Sequence, residues 1–415
     1  MISTLAGAGE IITEALETIL SGGRIATDKF FEALRSAGKL REGRCFLEEV
    51  SGGTLVIGPC RGHATDLAHY LRGRVLEEII NDRLNVVFLG NYVDGGHKSM
   101  EVLYLVALMV QHLPGVVVPL IGRHEMFYPF PPGHFGSLKA ELHLRSVQYG
   151  IPFDLLEQTV KNFFAKLPVA CVVDKRFFCS SSGLASEYRR LNDIRQEVSQ
   201  SRLSEFVLNQ PMDEDEEKLS SGWAFVGSRT ETGSSLRYTF NAASNFLARN
   251  GLYTHIGGLE YHMYRPEFEN FARSNHYAES TYFPGWLLGR IHHEFRVPAS
   301  IMIFSASRFC GINQNYGCVV AILGGTLELR QFGACVRRPL IMPGEEGHAF
   351  SWSLGLVETA VRAILNDLLF ADIPQLTDDD GGKARDTSAE ETQKITSRYR
   401  RMCQLLKSHA LPMPR

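Results

Sequence analysis

The apolar positions change period along the chain. Between residues 9 and 37 they recur at helical spacing, Ile11, Ala15 and Ile19 and then Phe30, Phe31 and Leu34, with Ser21-Gly22-Gly23 as a break between them. This pattern predicts an N-terminal helical cover. From Thr54 the period alternates. Thr54-Leu55-Val56-Ile57 is a short apolar strand that ends in Gly58-Pro59-Cys60-Arg61-Gly62, after which Leu67, Leu71, Val75 and Ile79 recur every four residues on one helical face. The unit repeats with a strand at Val86 to Leu89, a loop from Gly90 to Gly96 and an apolar helix from Ser99 to Val110, Ser99 being the expected N-cap. A third strand, Val116 to Ile121, runs into Gly122-Arg123-His124-Glu125. A series of this kind implies a parallel sheet with right-handed crossovers, whose ligands collect in the loops at the carboxyl ends of the strands. The three glycine-containing loops are therefore expected to meet.

Further along, Asp154 to Leu167 reads as a helix, and Pro168 to Val173 with Arg176 to Ser180 as a hairpin across Asp174-Lys175. Residues 186 to 222 are polar and contain the run Asp213-Glu214-Asp215-Glu216-Glu217, expected as an exposed excursion, either a solvated loop or a docking segment. A helix is expected near 240 to 250, strands at 299 to 304, 317 to 322 and 326 to 332, and an amphipathic helix at 352 to 370. A polar linker follows at about 372 to 392, and then a basic helical tail with Arg398, Arg400 and Arg401 ahead of Leu405-Leu406. The expected division is a core domain over 1–335 and a C-terminal extension over 336–415.

Composition narrows the class. The chain is 44% hydrophobic and 21% charged, enough to build a large core, and its net charge of -3 leaves no electrostatic footprint for nucleic acid. Eight cysteines without a CxxC pair fit a reduced, intracellular protein, cytoplasmic or nuclear. No leader is expected, because the first twenty residues carry Glu10, Glu14 and Glu17 and no arginine. The most apolar stretch, Ser99 to Gly122, is interrupted by Glu101, Gln111, His112 and Pro114-Gly115, so no membrane span is expected.

Five ordered segments resemble the phosphoprotein phosphatases, the metal-dependent Ser/Thr protein phosphatases that include types 1 and 2A and calcineurin. The family's GDxHG, GDYVDRG and GNHE loops are similar to Gly58-Pro59-Cys60-Arg61-Gly62, Gly90-Asn91-Tyr92-Val93-Asp94-Gly95-Gly96 and Gly122-Arg123-His124-Glu125. Leu167-Pro168-Val169-Ala170 with Phe178-Cys179-Ser180-Ser181-Ser182-Gly183-Leu184 resembles LPIAA and FCCHGGL. Phe304-Ser305-Ala306-Ser307-Arg308-Phe309-Cys310-Gly311, with Asn315 and Gly317, resembles FSAPNYCGxxDNxG. The resemblance spans about residues 10 to 332 and implies an α/β fold, a calcineurin-like metallophosphatase β-sandwich flanked by helices, with a C-terminal extension outside it.

The same resemblance implies what is missing. The family's ligands to two divalent metals fall here on Pro59, Arg61, Asn91, Arg123, Ser181 and Leu259. Such a metal lowers the pKa of bound water from 15.7 to about 7, worth about 12 kcal/mol in hydroxide availability at neutral pH. A guanidinium stays protonated and repels an incoming cation, so Arg61 and Arg123 argue against a metal. The family's substrate-clamping arginines fall on Gly95 and near Ser234, and its NYCG tyrosine on Phe309. The proton-donating pair survives as Asp94 and His124, vestigial without an activated nucleophile.

The expectation is thus a pseudophosphatase with no metal cofactor, acting as a scaffold or regulatory subunit for protein partners. Two alternatives stay open: a divergent hydrolase using Asp94 and His124 with at most one metal, and a phosphate or phosphopeptide reader using Arg61, Asn91, Arg123 and Ser181 as a degenerate anion pocket. Arg61 and Arg123 are also readable as structural, paired with Asp94 or a neighbouring acid and filling a polar cavity. His63 and Asp66 are read as solvated surface or cap residues rather than parts of a rebuilt metal site, and His292-His293 as adjacent residues that do not share a face. From the family's peptide groove, Leu327 and Leu329 in Thr326-Leu327-Glu328-Leu329-Arg330 are the expected partner contacts.

Overall fold

The computed structural model describes residues 2–334 except 82–83, 97, 130–136, 231–232, 260–283, 293–294 and 310–314. The C-terminal expectations, the helix at 352–370, the linker and the basic tail, lie outside the described residues. The N-terminal cover is two helices, α1 (Ile2–Leu20) and α2 (Thr27–Leu40), followed by β1 (Leu47–Val50). Then come β2 (Thr54–Ile57), α3 (Ala64–Leu71), α4 (Arg74–Asn81), β3 (Asn85–Phe88), α5 (Ser99–His112) and β4 (Val117–Pro119). The single helix read through Leu67 to Ile79 is two, because Gly73 takes φ +65 and breaks it.

After β4 come α6 (Arg123–Met126), α7 (Leu138–Tyr149), α8 (Phe153–Phe164) and the hairpin β5 (Ala170–Val173) and β6 (Phe177–Ser180). The polar stretch that follows is less exposed than its composition implies. It forms α9 (Leu191–Gln196), α10 (Glu205–Leu208), β7 (Gln210–Pro211) and α11 (Glu214–Leu219), and it buries Ile194, Leu203, Phe206 and Val207. A few large side chains suffice to dock such a segment even when most of its positions are polar. The acidic run is the helix α11, with Asp213 as its N-cap accepting from the amides of Asp215 and Glu216. The described chain ends with β8 (Phe225–Thr230), β9 (Gly233–Tyr238), α12 (Phe240–Arg249), β10 (Thr254–Gly258), β11 (Trp286–Leu288), β12 (Ser300–Ile303), β13 (Gly317–Leu323) and β14 (Thr326–Phe332).

Two large sheets carry the architecture. One has the order β1-β5-β6-β10-β12-β11 and the other β14-β13-β2-β3-β4, with β7-β9-β8 as a small third sheet. The strand period of two decides the layers. Val56, Val87, Leu89 and Val118 of one sheet pack with Cys171, Cys179, Ile256 and Ile301 of the other in a closed inter-sheet core. The alternate residues Leu55, Ile57, Val86 and Phe88 point outward, into the larger core shared with α1, α2, α3 and α5. The predicted sandwich flanked by helices is therefore the observed one.

Strands β2, β3 and β4 run parallel, and so do β6, β10 and β12. Their carboxyl ends deliver the predicted loops to one place. The Arg61 amide donates to the Asn91 carbonyl at 2.9 Å, Gly62 to Tyr92 at 2.7 Å and Ser305 to Pro59 at 3.1 Å. Approach is so close that a β-carbon at Gly90 would lie 2.4 Å from the Gly122 nitrogen.

Candidate functional site

The site is built on loops held in costly backbone conformations. Arg61, Asn91, Asp94 and Arg308 have φ of +47, +53, +63 and +43, values that a side chain disfavours. Four such residues at converging strand ends are tolerated only where surrounding bonds over-determine them. Glu125 provides many of those bonds: its carboxylate accepts from the amides of Asn91 (2.8 Å), Tyr92 (2.8 Å) and Gly122 (2.9 Å). Burial pushes its carboxyl up to about 7, against the pull of those three N–H donors and with Asp94 adding a smaller push upward.

The Asp94–His124 pair is intact. His124 Nδ1 lies 3.0 Å from Asp94 Oδ2, and both residues are buried. The other carboxylate oxygen of Asp94 accepts the Leu138 amide at 2.8 Å, at the start of α7. The main-chain carbonyl of Asp94 accepts Arg61 Nε at 2.6 Å. Asp94 therefore ties together the loops after β2, β3 and β4 and the first turn of α7.

Each family ligand position has a different occupation here. Asn91 Oδ1, the one amide oxygen that might have served a cation, accepts the His124 amide at 3.2 Å. Leu259 joins Met302, Phe304 and Ala306 in a small apolar cluster against which Phe309 packs. The Phe309 ring sits 5.6 Å from the Arg61 guanidinium carbon and 5.3 Å from the His63 ring. Ser181 has no exposed surface, and its hydroxyl has no hydrogen-bond partner among the described residues. Among the described residues no group of three or more His, Cys, Asp or Glu side chains is placed to hold a metal ion. The donors present, an engaged amide, an isolated hydroxyl and two guanidinium groups, do not fit the divalent metals of the family.

The lost clamp has a similar steric explanation. Gly95, standing where the family has arginine, adopts φ +144, and a β-carbon there would meet the Phe309 ring at 3.0 Å. His63 and Asp66 are not surface residues: both are buried, with Nδ1 and Oδ2 3.8 Å apart. Their position under the converging loops, rather than on the outer helical face, overrides the polarity of their side chains. His292 stacks on Phe295 at 4.9 Å, while His293 lies outside the described residues. Leu327 and Leu329 lie half-buried against the inter-sheet core on β14, the last strand of its sheet.

Two features escaped the sequence reading. Glu141 of α7 accepts the Ser99 amide at 2.9 Å and the Met100 amide at 3.1 Å, capping α5 from outside. Ser99 is thus the first helical residue and Lys98 the cap position. His255 is the second. Ser180 Oγ donates to the Gly183 carbonyl at 2.8 Å, so it accepts from His255 Nε2 at 2.8 Å, and His255 Nδ1 is left to accept from the Tyr238 hydroxyl at 3.3 Å. Burial holds this imidazole neutral, its pKa pushed down to about 3. No local pattern marks either residue, since their partners are 17 to 75 residues away.

Comparison with known proteins agrees with this geometry. Residues 60–258 match the calcineurin-like phosphoesterase family. The serine/threonine-protein phosphatase 2B catalytic subunit A1 of Saccharomyces cerevisiae is 25% identical over 324 residues, covering 75% of this chain. The chain spans about half, 52%, of that relative's length. A solved protein serine/threonine phosphatase from Saccharomyces cerevisiae, described as similar to human phosphatase PP5, superposes with a TM-score of 0.56 at 16% identity, over 78% of this chain and 94% of that one. With fold, motif order and relatives in agreement, residues 60–258 match the calcineurin-like phosphoesterase family, and the chain shares the fold of, and is similar to, serine/threonine protein phosphatases.

Proposed function

We propose that this protein is a pseudophosphatase: it keeps the phosphatase fold, does not hydrolyse phosphoesters through a dimetal centre, and works by binding other proteins. One observation carries the reading. The positions that hold metals in the family are filled by Pro59, Arg61, Asn91, Arg123, Ser181 and Leu259, and the last of these is packed into an apolar cluster with Phe304. A general acid at His124 accelerates cleavage only when something supplies the nucleophile, and among the described residues no carboxylate or imidazole set is placed to do so. The edge position of β14 supports Leu327 and Leu329 as partner contacts by strand addition. Purified protein is expected to contain substoichiometric Mn, Fe and Zn and to leave p-nitrophenyl phosphate intact. Stoichiometric metal together with turnover abolished by His124→Ala overturns the reading.

A second reading rests on the two buried guanidinium-bearing residues flanking Asn91. Arg61 and Arg123 supply charge of the sign an anion needs, so calorimetry with phosphopeptides is its test. Equal affinity in wild type and Arg123→Ala removes it.

A further inference from the structure

A cleft of about 210 Å³ lies away from the converging loops, between α11, the start of α12 and the end strand β11 of the larger sheet. Its floor is apolar, made by Tyr238, Phe240, Met302 and the pair Leu287 and Leu288. Both leucines keep substantial exposure, 38% and 40%. Leu219, the last residue of α11, and Trp223, four residues further on, are 83% and 71% exposed, and exposed large apolar side chains of this kind are typical of a contact surface.

Charge identifies what fits. Residues 213 to 218 hold five carboxylates and one lysine. Glu216 is paired with Arg237, Glu217 with Arg290, and Asp215 with Lys218 at 2.7 Å. Asp213, which caps α11, and Glu214 line the cleft as well, with Lys218 acting on both through space. The cleft also already accommodates one guanidinium: Arg290 lies 4.6 Å from the centre of the Phe240 ring while pairing with Glu217. An aromatic face plus a carboxylate is the environment a desolvated arginine prefers.

We propose that this cleft docks a basic peptide segment of a partner protein, with an aliphatic side chain seated on Leu287 and Leu288 and flanking arginines or lysines facing Asp213 and Glu214. The proposal names a partner class and a surface separate from the degenerate metal pocket, and it holds whether or not the protein hydrolyses phosphoesters. The test is calorimetry of the full chain with a blocked peptide bearing two arginines on each side of a leucine pair. One comparator peptide has glycine for both leucines, and the other glutamate for the arginines. Wild type is expected to bind the first peptide at least about tenfold more tightly than either comparator, with affinity falling as salt rises. Glu214→Lys and Leu288→Lys, both changes at exposed side chains, are each expected to weaken it about tenfold, with thermal melts unchanged. Equal affinity in wild type and both variants overturns the proposal, as does absence of binding to wild type. If sedimentation shows a wild-type dimer that Leu288→Lys dissociates, the cleft belongs to a second copy of the chain and the peptide proposal falls.

Discussion

Asp94 shows how much structure one buried carboxylate can hold together. Its carboxylate accepts from His124 and from the Leu138 amide, and both donors are buried. Asp94→Ala strands two buried donors, so urea unfolding is expected to show a loss of about 2–4 kcal/mol. Gly95→Arg tests the clamp in the opposite sense. Restoring the family's side chain meets the Phe309 ring and a backbone at φ +144, so the variant is expected to lose stability and gain no turnover of p-nitrophenyl phosphate. Two buried titratable groups shape the acid side of the stability profile in opposite senses. His255, at about 3 against an ordinary 6.5, contributes stability that is present above 6.5 and is lost as pH falls toward 3. Glu125, at about 7 against 4.5, contributes stability that is full below 4.5 and is lost as pH rises through 7. Glu141, also raised to about 7, acts in the same sense as Glu125, and both oppose the histidine between 4.5 and 6.5; below 4.5 the histidine loss is joined by that of Glu42, Glu78, Glu197 and Asp215, whose carboxyls lie below their usual range. Stability measured by denaturation should therefore fall steeply between pH 4.5 and 3, and His255→Gln, which keeps a donor and an acceptor, should flatten that limb.

At the scale of elements, α7 is the piece whose placement the local pattern conceals. Its first amide is bound by Asp94, its Glu141 caps α5, and its Arg145 pairs with Glu101 of α5 at 3.3 Å. Burial and the neighbouring Glu101 both push the Glu141 carboxyl above its usual range, so the cap is strongest as a charge only where the amides hold it. Glu141→Ala is expected to cost about 1–3 kcal/mol, measured by urea denaturation. Combined with Asp94→Ala the loss should fall short of the sum, because either change already loosens the same helix. The acidic run teaches a related lesson. Read as a solvated loop or docking segment, it forms a short capped helix beside an apolar cleft, since Asp213 satisfies two amides and Arg237 and Arg290 neutralise two of its carboxylates.

At the scale of the described molecule, the sandwich and its converging loops resemble those of the phosphatases, while the residues at the metal-ligand positions differ. A divalent ion binding the folded state with a dissociation constant a hundredfold below its concentration would add about 2.7 kcal/mol to stability. Added Mn or Zn is expected to leave the melting temperature of this protein unchanged. Single reversals such as Arg61→His should not alter that, because one imidazole leaves Arg123, Pro59 and the Leu259 cluster in place.

The alternation of short apolar strands with helical stripes, and the order of five glycine-bearing motifs, determined the sheet, its helical cover and the meeting of the loops. Those features depend on side-chain period and turn chemistry, which act over neighbouring residues. Substitution at each ligand position was equally readable, since chemical identity needs no coordinates. Tertiary structure alone decided where each polar group found its partner. It gave Asp94 to α7, Glu141 to α5 and His255 to Ser180 and Tyr238, buried His63 and Asp66, and folded the acidic run against an apolar cleft. Buried hydrogen bonds and desolvation are set by atoms distant in the chain, so they become visible only when the chain has closed on itself.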